Sequence, residues 1–254
     1  MTKILGIIQA RMSSTRLPRK VLLPILEKPV LWHIYNRLKN CKNIDQICIA
    51  TSTNPPDDEI EKFAIQENIQ LYRGSEEKIV NRLLGAAKKF GADAIVRVTG
   101  DCPLIDPKIV DQLITIYLNK PSIDFVSNTM ERTFPDGLDT EVISTKFLDR
   151  LLTEMDDSQE WFIMHVIENQ KRYRCEGYKN VEDLSQLRWT LDYNEDYEFV
   201  KAVYNELFDE GRIFYMQDIL ELLARKPYIS KMNQKYPANT SMRFYLSQKK
   251  DADL

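Results

Sequence analysis

The sequence predicts an α/β fold: a mostly parallel central sheet flanked by helices. One domain is expected over residues 1–225, with a mid-chain excursion at about 121–145 and a peripheral C-terminal tail over 226–254. Three observations predict this. Four short apolar runs in the first half are each followed by an amphipathic stretch, the βα alternation of a sheet covered on both faces. The chain has 254 residues, 43% of them hydrophobic, which is ample for one large core. No repeat, low-complexity segment or clear linker divides it.

Residues 4–10 read as the first strand, followed by a basic loop and a helix over about 29–40. Pro29 suits a first helical turn, and Val30, Ile34 and Leu38 make one stripe. "QICIATS" is a second strand, and "DDEIEKFAIQEN" a helix whose first turn carries acids, where the helix dipole favours them. "IQLYRG" is a third strand, after which Ile79, Leu83, Ala86 and Phe90 line one helical face. "AIVRVTG" is a fourth, leading through "DCPLID" to a helix carrying Ile109, Leu113 and Ile116. Past Pro121 the rhythm loosens. "DFVSN" and "TFPDGLDTEVIS" read as strands with a turn at Asp136-Gly137, then helices over about 145–155 and 159–170. "LRWTLD" reads as one more short strand, before helices over about 196–208 and 216–224.

A formal net charge of -3 argues against a general nucleic-acid binder, which shows a basic excess. Cys41, Cys48, Cys102 and Cys175 have no paired spacing, and with only His33 and His165 beside them a zinc site is not expected. Met1 to Lys3 leads directly into a strand-like run without a signal peptide, and no apolar stretch approaches a membrane span. A reduced, cytoplasmic enzyme is the expectation.

Against the acidic balance, "IIQARMSSTRLPRKVL" packs Arg11, Arg16, Arg19 and Lys20 into one loop with no carboxylate before Glu27. Ligands of open parallel sheets collect beyond the carboxyl ends of the strands, where the first strand delivers this loop. Backbone amides near residues 11–14 and the cationic side chains suit a polyphosphate. Neither GxxxxGK[ST] nor GxGxxG occurs, so P-loop and dinucleotide readings lose ground. A solvated surface loop is the plainer alternative. Gly100 permits a tight turn after the fourth strand and Asp101 projects at its end, while Asp192 ends "RWTLD". Either acid could bind Mg²⁺, or merely cap a turn or helix. Together, a basic loop and two strand-end acids fit a metal-bridged nucleoside triphosphate.

These segments, with "KPVLWHIYNRLKNC", "IATSTNPPDDEI", "YRGSEEKIVNRLLGAAKKFGAD", "VRVTGDCPLIDP", "TFPDGLDTEV" and "RWTLDYNEDYEFV", carry a resemblance over nearly the whole length. The chain resembles the spore-coat polysaccharide (SpsF-type) cytidylyltransferases, relatives of the deoxyoctulosonate cytidylyltransferases and CMP-sialate synthetases. The resemblance implies a nucleotide-diphospho-sugar transferase (Rossmann-like) fold, CTP as donor, an anionic small-molecule acceptor and Mg²⁺ as cofactor. It puts Arg11, Ser14, Arg16 and Lys20 on the triphosphate, within a nucleotide-binding set of Ala10, Met12, Ser13, Arg73, Gly74, Ser75, Arg82, Thr99 and Gly100. It puts Asp101 and Asp192 on the metal, and Asp139, Glu141 and Glu160 near the acceptor. Arg16, Lys20 and Asp101 are the expected catalytic residues. A homodimer through residues 124–143 is also implied. Two departures stand out. Asn81 precedes Arg82 where the family has Asp, and "SQEWFIMHVIEN" keeps only Glu160 of an Arg-Glu-His-Val-Thr string. That segment is then either a repacked helix or an altered acceptor pocket.

The expected reaction is attack of an anionic acceptor oxygen on the α-phosphorus of CTP with departure of pyrophosphate, for surface polysaccharide biosynthesis. Guanylyl or other nucleotidyl transfer to a sugar phosphate keeps every phosphate and metal residue and is the first alternative. A catalytically inert nucleotide-binding protein is the second.

Overall fold

Because both faces of the sheet are covered, successive strand residues alternate between two apolar clusters rather than between core and water. In β1 (Ile4–Gln9), Ile4 and Ile8 enter one cluster and Leu5 and Ile7 the other. The structure is a computed structural model that describes residues 1–155, 162–240, 242, 243 and 245. After β1 come the basic loop, a 3₁₀ turn (Lys20–Leu22), a small antiparallel hairpin of β2 (Pro24–Ile25) and β3 (Lys28–Pro29), and α1 (Val30–Leu38). Three units come next: β4 (Gln46–Ser52) with α2 (Asp58–Gln66), β5 (Gln70–Gly74) with α3 (Ile79–Phe90), and β6 (Ala94–Thr99) with α4 (Pro107–Asn119). The second half adds β7 (Phe125–Ser127), β8 (Glu141–Ser144), α5 (Thr145–Glu154), α6 (Phe162–Glu168), β9 (Cys175–Gly177), α7 (Asn194–Leu207), α8 (Met216–Arg225) and α9 (Pro227–Ser230).

Local chemistry sets several boundaries. The Asp106 carboxylate accepts from the Lys108 amide at 2.8 Å and Pro107 opens α4, while the Ser144 hydroxyl caps α5 by accepting from the Phe147 amide at 3.0 Å. Gly91, at φ 63°, ends α3 in the left-handed region. Residues from α1, α2, α4, α7, α8 and α9 join one cluster, and residues from α3, α5 and α6 the other.

The sheet has seven strands in the order β5-β4-β1-β6-β8-β7-β9. The expected parallel half is present: β4 and β6 flank β1, and β5 pairs with β4, all parallel. The ends of β1, β4, β5 and β6 therefore share one edge, with Gln9 paired to Thr99 there. β8 runs antiparallel to β6, so Glu141 at its start reaches that same edge opposite Arg97.

Three expectations are corrected. The excursion expected at about 121–145 contains two strands of the sheet, because β7 and β8 lie inside it and Phe125, Val126, Val142 and Ile143 are fully buried in the chain's own core. These four side chains are therefore taken up by the chain's own core rather than offered to the two-fold contact expected from residues 124–143. Second, only Glu141–Ser144 of "TFPDGLDTEVIS" is strand, and "LRWTLD" is not a sheet strand. Trp189 and Leu191 are buried as its alternation suggests, yet its backbone bridges two loops: the Trp189 amide donates to the Asp136 carbonyl at 2.7 Å and the Leu191 amide to the Asp101 carbonyl at 2.9 Å. Third, the tail is docked over residues 226–240, since the Asn233 amide group donates to the Arg188 carbonyl and to Asp196, both at 2.9 Å, and Ala238 is buried.

Gly137 makes the first bridge possible. Its φ is 116°, and a β-carbon there would stand 2.6 Å from the Thr190 nitrogen. Gly137→Ala should therefore lose more than about 1 kcal/mol of stability, read as a drop in denaturation midpoint, because both the backbone conformation and the space oppose a side chain.

Candidate active site

The basic loop is anchored by an acid that its own sequence does not reveal. The Asp57 carboxylate accepts from the Met12 amide at 2.7 Å, from the Thr51 hydroxyl at 2.8 Å and from the Ser52 hydroxyl at 2.6 Å. Burial would raise the Asp57 carboxyl, but these bonds outweigh it and hold it below the usual range. Ala10 and Met12 are buried, so the loop is tied down at its start while Arg11, Ser13, Ser14, Arg16 and Lys20 line a cavity of about 590 Å³. Arg19 turns away, in the left-handed region at φ 62°, and pairs with Glu59.

At the edge of the sheet the cations meet the two acids expected there. The Lys20 ammonium lies 2.8 Å from both the Asp101 and the Asp192 carboxylates, although these residues are far apart in sequence. Arg16 reaches the other Asp192 oxygen at 2.8 Å, and Thr99 donates its hydroxyl to Asp101. Burial would raise the Asp101 carboxyl, yet the Lys20 ammonium and the Thr99 hydroxyl hold it well below the carboxylate range. Burial likewise opposes the Lys20 charge, but Asp101 and Asp192 overcome it and raise its pKa. Gly100 is needed for close approach, since a β-carbon there would stand 2.9 Å from Val21 and 3.2 Å from Ala10. It thereby brings the loop after β6 against the basic loop.

Asp192 is positioned by a buried ion pair. Arg188 donates to Asp196 at 2.8 and 2.7 Å, and Asp196 also accepts the amides of Asp192 and Tyr193, each at 3.0 Å. The ring of Tyr193 stacks on Tyr236 at 3.7 Å, with the Arg16 guanidinium 5.2 Å from its centre.

Of the expected nucleotide residues, Gly74 and Ser75 line an adjoining cavity of about 690 Å³ with Thr53, Asn54 and Glu77, and the two cavities share Arg11, Glu76 and Ile79. Arg73 lines neither. It pins the loop after β4 instead, donating to the Ser52 carbonyl at 2.9 Å and pairing with Glu61 at 2.7 Å and Asp58 at 2.8 Å. Arg82 is buried against the basic-loop cavity, donates to the Ser75 and Glu76 carbonyls and, among the described residues, leaves its Nε without a partner; burial first, then Arg97 and Arg11, lower it to about 10.

The far wall of the basic-loop cavity holds two ion pairs, Arg97 with Glu141 and Arg132 with Asp139, each at 2.9 Å. Asp139 and Glu141, expected near the acceptor, thus lie on one wall of the cavity; Glu160 is outside the described residues. In the described part of the altered segment Phe162 and Val166 are core, whereas Ile163 and Met164 line the cavity; Trp161 lies outside the described residues. Asp136, Asn239, Thr240 and Met242 also line it. Sequence pattern points to none of these four, because their nearness depends on loops and a tail without periodicity. Among the described residues no cluster of three or more His, Cys, Asp or Glu side chains forms a metal centre, and no helix is long and apolar enough to cross a membrane.

Comparison with known proteins agrees with this geometry. The spore coat polysaccharide biosynthesis protein SpsF of Bacillus subtilis is 32% identical over 237 residues, 89% of this chain and 96% of that one. A 3-deoxy-manno-octulosonate cytidylyltransferase of Geobacter sulfurreducens is 30% identical over 141 residues, 55% of this chain and 56% of that one. A solved cytidylyltransferase structure from Leptospira borgpetersenii superposes with a TM-score of 0.87 at 35% identity, covering 92% of this chain and 98% of the other. The family model described as Cytidylyltransferase matches residues 5–251. With a nucleotide-diphospho-sugar transferase fold and a basic loop meeting paired acids at its sheet edge, the chain belongs to the cytidylyltransferase family.

Proposed function

We propose that this enzyme transfers CMP from CTP to an anionic sugar acid, releasing pyrophosphate, in the synthesis of a surface polysaccharide. The observation that carries the reading is the convergence of Arg16 and Lys20 with Asp101 and Asp192 at one end of a cavity whose other end is lined by paired acids and arginines. Arg16 and Lys20 take the charge of the triphosphate and of the departing pyrophosphate. One such well-aimed donor is worth about 3 kcal/mol in the transition state. Asp57 keeps the loop amides in place, so little reorganisation is needed when the nucleotide arrives. The adjoining cavity behind Gly74 and Ser75 suits the nucleoside.

The acid pair fits Mg²⁺. Two carboxylates aim oxygen atoms at one cation, Lys20 Nζ, and hard oxygen donors are what this ion selects. Asp101 and Asp192 would hold it, and when bound it shields an anionic acceptor from the triphosphate. The sugar-acid part of the reading draws on the acceptor named for the Geobacter relative and on Arg97, Arg132 and Arg82, which can balance a carboxylate.

CTP with Mg²⁺ should raise the melting temperature more than ATP, GTP or UTP at equal concentration, because a ligand of the folded state stabilises it by mass action. Pyrophosphate release should then appear with 3-deoxy-manno-octulosonate or a related sugar acid. A preference for GTP would overturn the cytidylyl assignment, and release with sugar phosphates alone would overturn the acceptor.

A further inference from the structure

Six acids among the described residues line the cavity at the basic loop: Glu76, Asp101, Asp136, Asp139, Glu141 and Asp192. Five are closely matched. Lys20 serves Asp101 and Asp192, Arg16 serves Asp192, Arg132 serves Asp139, Arg97 serves Glu141, and Arg11, Ser13 and Asn54 serve Glu76. Asp136 differs. Its Oδ2 accepts from the Asn239 amide at 2.7 Å, and Arg188, already committed to Asp196, stands 3.6 Å away. Among the described residues nothing donates to its Oδ1.

The position of this carboxyl is fixed relative to the paired acids. Its own amide donates to the Leu187 carbonyl at 2.9 Å and its carbonyl accepts from Trp189 at 2.7 Å, while two residues later Leu191 bonds Asp101 and the segment ends in Asp192. One rigid stretch thus holds Asp136 on one side and Asp101 on the other.

We propose that Asp136 takes the proton from a hydroxyl of the acceptor as that oxygen attacks the α-phosphorus of CTP, so that the acceptor reacts through a hydroxyl and not through a phosphate or phosphonate oxygen. This rests on the cytidylyl-transfer reading above. The acceptor O–H bond breaks and its O–P bond forms. The bond from the α-phosphorus to the bridging oxygen breaks, its electron pair leaving with pyrophosphate, and the proton goes to Asp136 Oδ1.

The environment suits the task. Burial, then the charge of Asp139, push Asp136 up to about 7 against the Asn239 bond and the charges of Arg132 and Arg188. The Cys102 thiol, pushed well up by burial, stays neutral beside it, and Glu141 is tied to Arg97 beyond Asp139. A base that titrates near the working pH is the most effective kind. A phosphate or phosphonate oxygen carries its own negative charge at that pH and needs no such base.

The test is Asp136→Asn, which keeps the size and can still accept from Asn239. The value of kcat should fall at least about a hundredfold, the lower range for losing a general base. The melting shift caused by CTP should be unchanged. Wild-type kcat should fall as pH drops through about 7, and the residual rate of the variant should lack that limb. Stability gives a readout independent of turnover. A carboxyl whose pKa is raised on folding loses stability as pH rises from its unfolded value, about 4, through about 7. The variant escapes that loss, so its melting temperature relative to wild type should be higher at about pH 8 than at about pH 5. Turnover within about threefold of wild type, a retained acid limb, or acceptors confined to phosphates and phosphonates would each overturn the proposal. If CTP failed to shift the wild-type melting temperature, the cytidylyl reading itself would fall.

Discussion

Replacing Asp101 by Asn should cut pyrophosphate release at least about a hundredfold, about 2.7 kcal/mol in the barrier, while the protein stays folded. The substitution keeps the shape of the side chain, and an amide oxygen can still accept from the Thr99 hydroxyl. It removes one of the two carboxylates that hold the Lys20 ammonium, leaving Asp192 to hold it alone. If the acids serve Mg²⁺ and the triphosphate, the loss falls on chemistry, and raising Mg²⁺ restores part of it. If they serve only to cap a turn, the result reverses, with about 1 kcal/mol of stability lost and near-normal turnover in the folded fraction. Melting temperature and turnover on the same preparation separate these outcomes. Titration with Mn²⁺, followed by its paramagnetic signal, supplies a readout that needs no acceptor: the variant should bind the ion more weakly in the presence of CTP.

The site is partly legible in the sequence because strand ends are legible. Period-two apolar runs locate where β1 and β6 stop, and elementary sheet topology puts the loops after them at one edge. Arg16, Lys20 and Asp101 therefore fall into one group on sequence pattern alone. Asp192 joins them for a partly wrong reason. "RWTLD" alternates as a strand does, and Trp189 and Leu191 are indeed buried, but their backbone partners are the loops at Asp136 and Asp101. Alternation reports burial of every second side chain and not the partner of the backbone. Asp57, Asp136 and Asn239 give no signal of this sort. Asp57 acts through the amide of Met12, 45 positions away, and Asn239 reaches Asp136 across 103 positions through a backbone N–H that any residue would supply. β7 is recognisable as a strand but not as a member of the sheet, since three residues running Phe-Val-Ser carry no information about an antiparallel neighbour. Arg73, placed beside the nucleotide by resemblance, has ion-pair partners that sequence pattern does not show: Asp58 and Glu61 on α2 both hold it.

The largest stability effect should come from Arg188→Met. The Asp196 carboxylate has no solvent exposure, and Arg188, at 3% side-chain exposure, is its only ion-pair partner among the described residues. Removing one partner of a buried pair leaves a charge without compensation, at a cost of about 3–5 kcal/mol. Spread over a chain of this size that is a fall of roughly 10 °C in melting temperature. The hydrogen bonds from the amides of Asp192 and Tyr193 and from Asn233 stay with Asp196, so the damage comes mainly from charge. Arg188→Met combined with Asp196→Asn should therefore be no less stable than Arg188→Met alone, because the amide carries no charge to strand and its oxygen can still accept from the amides of Asp192 and Tyr193, although its NH2 group cannot accept from Asn233. An additive double variant would show instead that packing and the bonds from Arg188 to Pro237 and Thr240 carry the effect. Activity adds a second test. Asp192 follows Arg188 by four residues and shares its network at 3.5 Å, so loosening this segment moves one of the two acids that meet Lys20. A displacement near 1 Å in such a site can cost about a hundredfold in rate, and the charge-neutral double variant should recover stability before it recovers turnover.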